Sequence, residues 1–228
     1  MNSISEKRKL QAGFSVAESL VVLAITAVMA SVSLYYLYSH EKLYRPDEQA
    51  AHVVDLLQEA RQRALTQKVT MRVEIDRTSK VARLINEGDA LVATDDKILR
   101  EIVLDPEQEV RFEKRPLNVT TSPTESAPVP AAVFVTSSIH PLSLGKNVAT
   151  FRFRKDGTVA NAGTTAVGGG SIITGATIFF WQPKVENTEH ATITRAVTII
   201  GSSGAIRLWN YYPSAPTASQ WRDSRRFQ

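Results

Sequence analysis

Cysteine is absent from the 228 residues. That excludes a disulfide scaffold, a thiolate zinc site and a cysteine nucleophile. Catalytic signatures are missing too. His40, His52, His140 and His190 stand at no metal-ligand spacing, and there is no His-Glu-x-x-His. There is no Gly-x-Ser-x-Gly elbow, and the Gly168-Gly169-Gly170 run lacks the Lys and helix start of a phosphate loop. Asp95-Asp96 lacks the surrounding oxygen ligands of a calcium loop and reads as a turn. The histidines read as surface or helix-face residues. Neither an enzyme nor a cofactor is expected.

Other absences are local. Residues 14–38 contain no Gly, no Pro and one charged side chain, Glu18, while 19 of the 25 are hydrophobic. A helix of this length rises about 37 Å, more than the ~30 Å of a hydrocarbon core. Lys7, Arg8 and Lys9 precede it, which favours a cytoplasmic N-terminus with the rest outside. The whole-chain averages hide this arrangement: mean hydropathy is −0.14 and the pI about 9.4. Charge is equally uneven. Residues 39–113 hold 12 basic and 16 acidic side chains, and residues 114–228 hold 12 and 5. The 43% hydrophobic content argues against disorder and supports a core that needs no staples.

A secretory signal peptide would explain the basic start, the apolar run and the small residues Ser31-Val32-Ser33. Its apolar core usually runs only about 7–15 residues, however, and this one continues to Tyr38. A carboxylate in a membrane helix costs on the order of 2.5–3.5 kcal/mol at the centre, and less near an end. Such residues usually have a partner. The stretch Gly13-Phe14-Ser15-Val16-Ala17-Glu18 resembles the cleavage and methylation signal of type IV pilins and pseudopilins. The resemblance implies cutting after Gly13 by a prepilin peptidase and N-methylation of Phe14. It also implies an assembly role for Glu18, the fifth residue of the mature chain, which would pair with the Phe14 amine of a neighbouring subunit.

Beyond the apolar run, Pro46 should interrupt the helix, with Asp47 and Glu48 starting the next turn. Ala50, Val53, Val54, Leu57, Ala60 and Ala64 then follow helical spacing with one buried stripe. After Gln67 the period changes to two. Val69, Met71, Val73 and Ile75 alternate with Thr70, Arg72, Glu74 and Asp76, the pattern of a half-buried strand. Further strands are expected at 81–85, 98–104, 109–113, 131–137, 148–154, 171–181, 191–200 and 204–209. Residues 116–130 and 160–170 read as exposed, mobile loops. The fold class is α+β, a long N-terminal helix packed on an antiparallel β domain of two sheets. The expected parts are a leader at 1–13, a transmembrane and assembly helix at 14–38, its amphipathic continuation at 39–67, a β domain at 68–209 and a tail at 210–228.

The element order, with a Phe151-Arg152-Phe153-Arg154-Lys155-Asp156-Gly157 strand and turn and a late strand pair near Gly204, resembles the GspH/FimT minor pseudopilins. That family often carries a Gly-Arg-x-Arg turn that some members use for DNA. Only Gly204 and Arg207 match it here. The C-terminal end interleaves Arg207, Arg222, Arg225 and Arg226 with aromatics including Trp209 and Trp221. Such a mixture can hold single-stranded nucleic acid, anchor a neighbouring subunit, or simply pack. The implied partners are other pilin or pseudopilin subunits, the prepilin peptidase, an inner-membrane assembly platform and the membrane itself. The implied location is the bacterial inner membrane, with the globular part in the periplasm or the filament.

Overall fold

The structure is a computed structural model. It describes residues 15–88, 94–104, 110–113, 115–123, 134–164, 169–182 and 188–227. The chain divides into two compact units, residues 1–43 and 44–228. Helix α1, Val16–Gln67, contributes to both.

In the first unit the stretch Val16–Leu37 is long and apolar enough to cross a membrane, with a mean hydropathy of 2.2 and none of it buried. Its 22 residues rise about 33 Å. Thr26 and Ser31 each donate their hydroxyl to a carbonyl one turn back, which hides the hydroxyls along an otherwise hydrocarbon surface.

Pro46 does not interrupt α1; the helix runs through it. One missing N–H weakens a single turn. Pro46 is itself buried, and Arg195 donates to the neighbouring Asp47 at 2.6 Å, so packing holds the turn in place. The helix ends at Lys68, whose N–H donates to the Ala64 carbonyl and whose φ is 59°, a left-handed cap more often filled by glycine.

The second unit is α+β, with two antiparallel sheets. The first has six strands: β1 (Met71–Asp76), β2 (Val81–Asn86), β3 (Lys97–Val103), β5 (Phe134–Thr136), β6 (Asn147–Phe153) and β7 (Val159–Ala160). Their order is β3-β2-β1-β6-β5, with β7 also on β6. The second contains β4 (Arg111–Glu113), β8 (Gly175–Trp181), β9 (Arg195–Ile200), β10 (Ala205–Tyr211) and β11 (Trp221–Asp223), ordered β11-β10-β9-β8-β4. All nine expected strands are present with shifted ends. The segment expected as 191–200 begins as a 3₁₀ turn, Thr188–Ile193, and residues 131–133 lie outside the described residues. β7 and β11 were not anticipated.

The stripe Ala50, Val53, Leu57, Ala60 and Ala64, joined by Leu56, forms one core with inward residues of both sheets, including Val73, Leu84, Phe151, Ile178 and Val197. The opposite face of the second sheet has its own cluster, built from Phe179, Trp181, Trp209, Tyr211 and Trp221 with Val119 and Ala191 over it. The sequence pattern marks Arg72, Glu74 and Asp76 as the solvent side of β1, but every residue of that strand is buried. Residues 137–146, 160–164 and 169–170 supply the cover, including His140 and Ser143, both buried. The described parts of the 160–170 segment, 160–164 and 169–170, are therefore not simply an exposed loop. Gly169 and Gly170 are half-buried, and their carbonyls accept from Arg152 and Arg154.

Candidate functional site

Three regions carry the sequence-derived candidates or collect chemistry that the sequence did not announce. The first is the start of α1. Gly13 and Phe14 lie outside the described residues. Glu18 occupies the first turn, and its Oε2 accepts from the Ser15 backbone N–H at 3.0 Å. The Glu18 N–H in turn donates to Ser15 Oγ at 3.2 Å. This reciprocal pair is a capping box. It gives Glu18 a local task, satisfying a helix-end donor and complementing the positive helix end. The Ser-x-x-Glu spacing before an apolar run was the signal available for it.

The second region is the C-terminal end. Trp209 and Trp221 are buried. Trp209 Nε1 donates to Thr198 Oγ1 at 2.9 Å, and Trp221 Nε1 donates to the Thr121 carbonyl at 3.1 Å. Trp221 also meets Tyr211 and Phe179 with ring centroids 4.9 and 5.8 Å away. Residues 210, 211 and 221–223 thus belong to the second sheet, because β11 pairs with β10. Arg225 donates to the Ile206 carbonyl at 2.6 Å. Arg207 and Arg225 both lie 3.9 Å from the buried carboxylate of Asp223. Arg222 stacks over Tyr212 at 4.8 Å. The side chain of Arg226 lies outside the described residues. The structure gathers Arg207, Trp209, Trp221, Arg222 and Arg225 at one sheet edge, and it uses the two indoles for packing.

The third region, the outer face of the first sheet, was missed by the sequence reading. Register places Arg72 of β1 directly opposite Arg152 of β6. Like charges opposed across strands are unfavourable, and both arginines are buried, at 0% and 2% exposure. Glu87 resolves the conflict. Its Oε1 accepts from Arg72 at 2.9 Å, and its Oε2 accepts twice from Arg152, at 3.0 and 2.5 Å. Arg72 also donates to Glu74 at 2.8 Å and to Asp96 at 2.6 Å. Burial alone would lower the pKa of Arg72, but Asp96, Glu74 and Glu87 outweigh it and hold the guanidinium above its usual value.

Two neighbours in this layer are incompletely satisfied. Burial pushes the Glu74 carboxyl up despite Arg72, and its Oε2 has no hydrogen-bond partner among the described residues. His140, expected at the surface, is 1% exposed. Burial, with Arg72 and Arg152 nearby, lowers its pKa to about 4, so its ring is neutral at pH 7. Among the described residues no group of three or more His, Asp or Glu could hold a metal ion. The alternating charges of Thr70–Asp76 were visible in the sequence; the loops that seal them were not.

No protein-family model matches the chain, and no curated protein or solved structure matches it either.

Proposed function

We propose that this chain is a structural filament subunit, a minor pilin or pseudopilin of the type IV pilus or type II secretion kind. On this reading it is cleaved after Gly13 and methylated on Phe14. One observation carries the proposal: a wholly exposed apolar helix with a single carboxylate in its first turn, behind a short basic leader ending in Gly13. A helix that served only as an anchor would gain nothing from Glu18 beyond its cap. In an assembled bundle the carboxylate would meet the freed Phe14 amine of a neighbour, and an unpaired one would be strongly disfavoured. The partners are then other subunits, the prepilin peptidase and the inner-membrane assembly platform. The N-terminus is cytoplasmic, and the second unit lies in the periplasm or the filament.

Mass spectrometry of the mature protein tests the processing. A chain starting at Phe14 with one added methyl group supports the proposal. An intact Met1, or a start after Ser33, overturns it. Two variants separate capping from assembly. Glu18→Gln keeps a side chain suited to a capping box but loses the charge, while Glu18→Ala loses both. Both should be cleaved normally and fail to enter filaments. Normal incorporation of Glu18→Gln would leave Glu18 as a cap alone.

Nucleic-acid binding is the weaker proposal, because bases stack on accessible rings, whereas Trp209 and Trp221 are buried. A salt-sensitive gel shift lost on changing Arg207, Arg222, Arg225 and Arg226 to Ala would reverse that order.

A further inference from the structure

Where α1 ends, the second unit has a cleft of about 300 Å³ that the filament role does not use. Its wall carries four cationic side chains, Lys68, Arg152, Arg154 and Lys155, against two carboxylates, Glu87 and Asp156. Both carboxylates are already engaged. Glu87 is bound by Arg72 and Arg152. Asp156 accepts from the Thr158 N–H at 2.9 Å and from its hydroxyl at 2.7 Å, contacts that hold its carboxyl below the usual range. Two of the four cations are less committed. Lys68 and Lys155 are exposed, and neither has an ion-pair partner among the described residues.

The arginines are fixed in place. Arg152 is held by Glu87 and by the Gly169 carbonyl, and Arg154 donates to the Gly170 carbonyl at 2.6 Å. A preordered guanidinium in a cleft wall, with exposed lysines on the same lining, is a combination suited to oxyanions. Lys68 adds an independent observation. It stands at φ 59°, in a cap where glycine would be less strained, and from there it lines the cleft.

We propose that this cleft binds a small molecule bearing a phosphate or carboxylate group. Its volume is at the lower end for ligand pockets, so the ligand is a compact anion rather than a polymer.

Isothermal titration of the full chain in detergent, at constant ionic strength, tests this with inorganic phosphate and citrate as separate probes and chloride as control. The expected result is saturable one-to-one binding of at least one oxyanion, and the stronger probe identifies the headgroup class. The double variant Lys68→Gly and Lys155→Gln should weaken binding about tenfold. Thermal melting of that variant should match or exceed the parent, because glycine relieves the left-handed cap. The proposal is overturned by no saturable heat with either probe, by equal affinity in the double variant, or by the same heat from chloride.

Discussion

The two sheets turn similar apolar faces toward α1, yet they close their opposite faces with different chemistry. Behind the second sheet lie Phe179, Trp181, Trp209, Tyr211 and Trp221, with Phe179 edge-on to Trp221 and the indole N–H groups of Trp209 and Trp221 each given an acceptor. Behind the first lie two opposed arginines, the four carboxylates of Glu74, Asp76, Glu87 and Asp96, and a neutral histidine. Both faces are dry. The aromatic one is stabilised by area removed from water, and its parts tolerate imperfect placement. The ionic one depends on every partner being present, because each buried charge has lost its hydration. A face closed by charge is therefore brittle where a face closed by rings is forgiving.

The largest test breaks the ionic face at its bridge. Glu87→Ala leaves Arg72 and Arg152 opposed and buried, and should lower stability by about 3–5 kcal/mol, read by chemical denaturation of the full chain. A loss under about 1 kcal/mol would mean that water reaches the layer and screens its charges. On the aromatic face, Trp221→Ala should cost about 3 kcal/mol through the cavity left behind. Trp221→Phe should recover most of that, and no equally conservative change at Glu87 should recover as much.

The third test uses pH. The folded His140 has a pKa of about 4, against an ordinary value of 6.5. Between those values the unfolded chain binds a proton that the folded chain refuses, so stability falls as pH drops from about 6.5 to 4 and levels off below. The contribution is at most about 3 kcal/mol. Glu74 acts in the opposite sense. Its folded pKa is raised, so just above 4.5 the folded state holds the extra proton and gains from acid. Comparing the parent with His140→Gln isolates the histidine. The slope through that window should shrink in the variant; an unchanged slope would place its cause elsewhere.

The smallest test repeats the chemistry at the rim, where one partner meets water. Arg83 donates to Glu101 at 2.7 Å, with the carboxylate 46% exposed. Glu101→Ala should cost less than about 1 kcal/mol, and the same chemical denaturation reads it.

Much of this architecture was legible along the chain. The change from helical to alternating spacing at Gln67, and the Phe151–Phe153 alternation, placed the inward residues correctly, because period alone decides which side chains share a face. Period does not decide whether the other face is wet. Arg72, Glu74 and Arg152 looked like solvent positions, and their burial depends on distant segments, Glu87, His140 and Gly169, that no local pattern links to them. Pro46 failed as a punctuation mark for a related reason: a local rule yielded to packing from β9 through Arg195 and Asp47. The capping box at Ser15 and Glu18 is the opposite case, a local signal that the larger resemblance obscured.

The bridge at Glu87 also has a consequence in time. Arg72 and Glu87 are 15 residues apart on a single hairpin, whereas Arg152 is 65 residues beyond Glu87. The hairpin can form its ion pair early, and the second arginine arrives only when β6 docks after a long loop has closed. Contacts that form last hold the native state shut more than they speed its formation. Loss of Arg152 should therefore appear in stopped-flow traces mainly as faster unfolding. The ionic layer acts as a latch on the finished sheet rather than as the seed from which it grows.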